Sequence, residues 1–281
     1  MILQDASLPL ALLPRLRNPP PMKPILTALV CLCFLTAGLF ASDEVLIVAD
    51  EFPAMQLLAG KLKTEENVTS QIVVQTNMPA DLSHFTAVLV YIHRELNEPA
   101  EKAFIAYAKS GGKLIVLHHT ISSGKRRNKE WFPFLGVALP EGDVSQGGYQ
   151  WTEGVTLDIV NLAPNHFITT NKVNYPSQIA FQTADSAGEK TLSGFTLTDS
   201  EVYLNHALSG TRTLLLGLKY ADARTGKLYM QSHAGWVMPS GKGWTIYLMS
   251  GHSARDFENP AFARIVANTV VWKPSKSPGG I

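Results

Sequence analysis

The residues of this chain best suited to chemistry are histidines placed where apolar runs stop. Lys113-Leu-Ile-Val-Leu117 runs directly into His118-His119, Ala87 to Ile92 into His93, and Trp244 to Met249, closely followed by Gly251, into His252. An imidazole ionises near pH ~6.5, so it can accept or release a proton at neutral pH, and its neutral form ligates divalent metals. His118, His119 and His252 are therefore the candidate proton-transfer groups, with His93 a candidate for binding substrate. Glu201 and Asp256 are carboxylates that could orient an imidazole or accept hydrogen bonds from a polar substrate. Should a divalent metal be present, His118, His252 and Glu201 are the expected ligands. No HxxxH, HxH or HExxH spacing demands one, so the cofactor stays open. Side chains alternate along a strand, so only one of His118 and His119 is expected to reach a crevice while the other packs.

The elements that must carry these histidines read as an α/β pattern. Val45 to Ala49, Gln71 to Gln75, Ala87 to Ile92, Lys113 to Leu117 and Trp244 to Met249 are short apolar runs of the parallel-sheet type. Between them lie helical segments from Pro53, with Ala54, Leu57, Leu58 and Leu62 on one face, and from about Pro99 to Lys109, with Ala100, Phe104, Tyr107 and Ala108 on one face. Asn259-Pro260 opens a last helix that ends near Trp272. Helices alternating with buried strands imply a parallel sheet covered on both faces, with ligands gathered outside the carboxyl ends of its strands. After Gly136 the pattern changes to Gly-rich, alternating segments at Tyr149 to Val160, Leu192 to Leu204, Thr213 to Leu218 and Leu228 to Val237, which read as strands, partly antiparallel. The Trp244 strand is expected to rejoin the first sheet and bring His252 beside His118 and His119. Trp131, Tyr149, Trp151, Tyr203 and Trp236 are aromatics of the loop-rich half that either fill the core or present a ring face to a ligand.

The chain has 281 residues, a net charge of +1 and two cysteines. Residues 1–41 are read as an upstream extension followed by a signal peptide, Met22 to Ala41, whose apolar run from Ile25 to Phe40 is preceded by Lys23 and is shorter than the ~20 residues of a membrane span. The exported protein, secreted or periplasmic, would keep no stable membrane span. It would also have no thiol, because Cys31 and Cys33 both lie in that run. Residues 42–273 are long enough for one large domain, and 274–281, rich in Pro, Ser and Gly, read as a disordered tail. Without Arg15, Arg17, Lys23 and Asp5 the remainder stays near neutral, so nothing calls for a nucleic-acid partner. Lys125-Arg126-Arg127 reads as a solvated loop. The number of subunits cannot be read from these features.

Four segments together resemble the ThuA-like (trehalose utilisation) family. They are Gly111 to His119, Pro164-Asn-His-Phe-Ile-Thr-Thr170, Phe195 to Tyr203, and the block from Gly241 through His252 to Phe262. The resemblance implies a class I glutamine amidotransferase-like, flavodoxin-type three-layer sandwich, and it adds His166, Glu201 and Tyr203 to the substrate-binding candidates, which also include Asp256 on its own chemistry. Asn165 and Phe167 depart from the family's usual Asp and Pro, and Ser200 from a common Asp. The amidotransferase parent needs a cysteine nucleophile at the turn after the Lys113 strand, where this chain has histidine, so glutamine hydrolysis by that route is excluded. The resemblance implies an enzyme acting on a small-molecule carbohydrate, a disaccharide or keto-sugar such as a 3-keto-glycoside, while the residues themselves imply acid–base chemistry that would serve hydrolysis, elimination or isomerisation. A non-catalytic sugar-binding or interaction domain is the main alternative, and a metal-dependent hydrolase the second.

Overall fold

Apolar runs with no polar alternation can be buried only in a sheet covered on both faces, and the first four of them build that sheet here. The computed structural model describes residues 44–185 and 187–274, so the stretch read as a signal peptide and residues 275–281 of the tail read as disordered lie outside the described residues. Strand β1 (Glu44–Ala49), helix α1 (Phe52–Glu66), β2 (Thr69–Val73), β3 (Ala87–Tyr91), α2 (Glu98–Ser110) and β4 (Lys113–Leu117) form the opening half. The second half consists of α3 (Trp131–Leu135), β5 (Val137–Ala138), β6 (Gln150–Asn161), α4 (Phe167–Thr170), β7 (Ser177–Phe181), β8 (Lys190–Leu204), β9 (Ala207–Leu208), β10 (Thr213–Ala221), β11 (Leu228–Ser240), β12 (Gly243–Leu248), α5 (Ala254–Glu258) and α6 (Pro260–Val271).

One sheet runs through the molecule in the order β2-β1-β3-β4-β12-β11-β10-β6-β8-β7. Its first five strands are parallel, β12 lying beside β4 with Leu248 opposite Leu117. That is the flavodoxin-type order, with its reversal between β1 and β3. The other five strands are antiparallel, and β6 and β8, 12 and 15 residues long, extend the sheet as a long ribbon. The fold is thus α/β with a large mixed sheet, parallel first and antiparallel later.

Local chemistry accounts for the element ends. The Asn97 side chain accepts from the Ala100 amide and opens α2, with Pro99 in the first turn. The Asn259 side chain accepts from the amides of Ala261 and Phe262 and opens α6. Asn67 closes α1 in the left-handed region, which turns the chain straight into β2 at Thr69. As a result β2 starts and ends two residues earlier than the apolar run Gln71 to Gln75 suggests. Val45 to Val48, Val88 to Val90 and Leu114 to Leu117 are fully buried, each side chain worth about 1.5–3 kcal/mol of transfer free energy. Trp131 and Trp236 are also fully buried, which assigns them to the core. Lys125, expected in a solvated loop, is buried as well: its Nζ donates to the His93 carbonyl at 2.7 Å and the Ser122 hydroxyl at 3.3 Å. No helix of the described residues is long and apolar enough to cross a membrane.

Candidate active site

Every parallel strand but β2 delivers a polar residue to the same rim. Beyond β1 come Asp50 and Glu51, beyond β3 His93, beyond β4 His118 and His119, and beyond β12 the loop to His252. Asp50 ties two of these ends together, since its carboxylate accepts from the amides of His93 and Arg94, each at 2.8 Å. The turn after β4 is unusual. His118 has φ +42°, a left-handed backbone that costs a side-chain-bearing residue roughly 1–2 kcal/mol. This sharp turn breaks the strand's alternation without bringing both rings to the opening: His119 lines the crevice, while His118 is fully buried and bonds the Met249 backbone carbonyl, so one of the pair reaches the crevice as expected.

The missing wall comes from the antiparallel half. Glu201 and Tyr203 are two residues apart on β8 and therefore share a face, which is directed at the histidines. Asp199, at φ +57°, and the register shifts between β6 and β8 around Val155 bend the ribbon at this point.

Four groups converge on one oxygen, Glu201 Oε2: His118 Nε2 at 2.8 Å, the Tyr203 hydroxyl at 3.0 Å, His252 Nδ1 at 3.3 Å and His119 Nε2 at 3.5 Å. His118 Nδ1 also bonds the Met249 carbonyl, which can only accept, so Nδ1 carries a proton. The loop to His252 is fixed from two sides. Asp256 Oδ2 accepts from the amides of Gly251 and His252, both at 2.9 Å, and from the Ser200 hydroxyl at 2.7 Å, while the Tyr91 hydroxyl donates to the His252 carbonyl at 3.1 Å. Gly251 has φ +113°, a conformation open to glycine.

Burial and charge then divide the groups. Burial alone would push the Glu201 carboxyl upward, but the hydrogen bond from His118 and the close approach of the His252 and His119 imidazoles outweigh it and hold it well below the ordinary carboxylate range. His252, paired with Glu201, is raised above the ordinary imidazole value. His119 is lowered, first by burial and then by neighbouring histidines, so it is neutral. Its ring stacks on His93 at a centroid distance of 4.1 Å, and His93 Nδ1 lies 2.8 Å from Glu51 Oε1. The crevice above has a volume of about 240 Å³ and is lined by His93, His119, His252, Glu201 and Tyr203, by the loop Ser122 to Gly124, and by Trp151 and Glu153 from β6. A larger cleft of about 520 Å³ near Phe134 and Met238 has no histidine and a single carboxylate, Glu130.

His118, His119, His252, His93, Glu201 and Tyr203 thus meet in one place. Asp256, within α5, reaches it only through the backbone amides of Gly251 and His252. His166 does not reach it. Its Nδ1 accepts from the Ile168 amide and caps α4, and its ring lies 5.3 Å from Trp272, which packs on Trp244 at the opposite, amino end of the parallel strands. Two groups of the site went unassigned in the sequence. Glu51 stands two residues past β1, beside the β1/β3 reversal where ligands collect, and that position was the available signal. Trp151 was one aromatic among five; at 49% exposed it is the indole left open at the crevice mouth.

Comparison with known proteins places this geometry in a family. The model of the ThuA family, described as trehalose utilisation, matches residues 48–273. The chain belongs to the ThuA family. Membership ties it to carbohydrate handling. Among solved structures it is similar to a putative ThuA-like protein from Bacteroides uniformis, at 16% identity and TM-score 0.58 over 84% of this chain and 94% of that one. It is also similar to a cytoplasmic protein from Salmonella typhimurium, at 11% identity and TM-score 0.50 over 80% of this chain and 97% of that one. These two likenesses speak to the fold. No curated protein matches the sequence significantly.

Proposed function

We propose that this ThuA-family chain is an enzyme that binds one ring of a disaccharide or keto-sugar, such as a 3-keto-glycoside, in the His119–Glu201–His252 crevice and moves protons on that ring. The observation that carries the reading is the convergence of three imidazoles and a tyrosine hydroxyl on one buried carboxylate oxygen at the floor of an open crevice. A volume of about 240 Å³ is below the ~300–1,000 Å³ of sites that engulf a drug-sized ligand, and it suits a single sugar ring with the remainder outside. At the mouth, Trp151 offers a flat apolar face to the ring's C–H groups, while Ser122, Ser123 and Glu153 offer hydroxyl partners.

The roles follow from exposure. Glu201 is the fixed anion that orients the imidazoles. His252, with a side chain 23% exposed, and His93, at 53%, are the rings a substrate can touch. A base at the carbon next to a sugar carbonyl and an acid at the carbonyl oxygen serve elimination and isomerisation alike, so the arrangement supports this class without naming the bond. We further propose that the enzyme works outside the cytoplasm, after removal of Met22 to Ala41.

The test is a screen of disaccharides and their keto derivatives against the protein and against a variant with His118, His119 and His252 all changed to asparagine. The expected result is conversion lost in the triple variant with ligand affinity kept within about tenfold, and affinity lost instead in Trp151→Ala. Conversion by the triple variant at the parent rate contradicts the proposal. Binding by the parent without conversion of any sugar would instead favour a carbohydrate-binding module.

A further inference from the structure

The carboxylate–imidazole cluster has more donors than its own hydrogen bonds use. We propose that His118, His119, Glu201 and His252 form a binding site for one divalent cation of the zinc class, held by three imidazole nitrogens and one carboxylate oxygen and open toward the crevice. The four residues can each offer one ligand atom, all within 4.8 Å of one another. Ligands placed ~2.0–2.2 Å from a tetrahedral ion lie roughly 3.3–3.5 Å apart. The separations from Glu201 Oε2 to His252 Nδ1 and His119 Nε2, 3.3 and 3.5 Å, match that edge length, and His118 Nε2, hydrogen-bonded at 2.8 Å, would move outward to ligate.

The unpartnered nitrogens point the same way. His119 is 3% exposed, and neither of its ring nitrogens makes a hydrogen bond, nor does His252 Nδ1. Buried polar atoms without partners are rare enough to need a cause. His118 is already arranged as a ligand. Its Nδ1–H is donated to the Met249 carbonyl, so Nε2, which shares a proton with Glu201 at 2.8 Å, is aimed at the cluster and becomes the ligating nitrogen once a cation displaces that proton, the way ligating histidines are commonly held. The Tyr203 hydroxyl on Glu201 and the Asp256 grip on the His252 loop supply the equivalent supports for the other ligands. Without a cation the buried His119 ring nitrogens have no partner; with one, Nε2 has. Imidazole with carboxylate and no thiolate suits zinc or a neighbouring first-row ion.

As to role, and resting there on the reading above, the ion would expand to five-coordinate by taking a sugar oxygen from the crevice and polarise it. Proton transfer would then fall to His93, which pairs with Glu51 and stacks on His119. The adjacent trio Glu51, His93 and His119 is not a second site, because it shares His119 and its Glu51–His93 pair is already satisfied.

The experiment is chelator treatment of the purified protein followed by titration with Zn²⁺ by calorimetry and with Co²⁺ by visible absorption, on the parent and on His118→Asn, His119→Asn, Glu201→Gln and His166→Asn. The expected result is one equivalent of metal, a Co²⁺ spectrum of a four- or five-coordinate site, and affinity reduced at least about 100-fold in the first three variants but unchanged in His166→Asn. Melting curves of each variant separate a lost ligand from a lost fold; should one variant be unfolded, the parent's stoichiometry and Co²⁺ spectrum still decide. A parent that binds neither ion, or a folded Glu201→Gln that binds like the parent, overturns the site. Absence of metal leaves the proton-transfer reading standing, whereas stoichiometric metal with no sugar converted refutes that reading and keeps the site.

Discussion

Two groups of histidines lie close together in this molecule, and they differ in everything except residue type. His118, His119 and His252 surround Glu201 at an open crevice. His206 and His233, with ring centroids 5.0 Å apart, are buried behind Tyr203, where His233 Nε2 pairs with the Tyr203 carbonyl at 2.8 Å and His206 stacks on Tyr149 at 5.5 Å with both ring nitrogens unpaired. Burial pushes His233 down to about 4 and His206 well below the ordinary value, so both are neutral core rings. In the first group a single carboxylate reverses that outcome for His252, which is raised. The lesson is that a histidine gains acid–base capacity here from a paired anion and an opening to solvent, not from being one of several.

The comparison breaks most severely if the anion is removed. Glu201→Gln keeps the shape but leaves three imidazoles without a counter-charge, and kcat/KM toward the converted sugar is expected to fall about 10³-fold, which steady-state kinetics would read. A fall of less than about tenfold would reduce Glu201 to a spectator. Next in size is an acid limb of stability belonging to the other group. His233 has its folded value below the unfolded ~6.5, so the unfolded chain binds more protons, and stability present above pH ~6.5 is lost as pH falls toward 4. The loss from this ring is on the order of 2–3 kcal/mol, and His233→Phe should flatten it in urea melts at pH 7 and pH 4.5. His252 acts with the opposite sign: its contribution is full below pH ~6.5 and fades as pH rises through its raised value. A smaller effect sharpens the positioning claim. Asp256→Asn weakens the grip on the Gly251 and His252 amides, so kcat should drop about 10-fold to 30-fold with KM nearly constant and the melting temperature little changed.

What could be read from the sequence divides along the same line. The parallel half was legible because its strands are unbroken apolar runs, and such runs have one solution; β4 spans Lys113–Leu117 as the pattern predicts, and β12 does return to its side. His118, His119, His93 and His252 follow from those strand ends. Glu201's central place does not. It depends on the register of β8 against β6 and on the bend at Asp199, which bring together residues 83 apart in the chain with no local signature. The left-handed turn at His118 was equally silent, since histidine tolerates that region without requiring it. The grip of Asp256 on the Gly251 and His252 amides was unannounced too, because α5, five residues long, has no periodicity to reveal it. His166 was drawn in by its likeness to a family motif, and the connection after β6 carries it to the far end of the strands, beside Trp272.

The central claim, that Glu201 gathers and orients three of these five histidines, is tested most directly by long-range proton–nitrogen NMR of the imidazoles in the chelator-treated protein and in Glu201→Gln. The account predicts that the ring-nitrogen signals of His118, His119 and His252 move on substitution while those of His206 and His233 keep their neutral pattern. Unmoved signals for the first three, or shifts confined to His206 and His233, would contradict it.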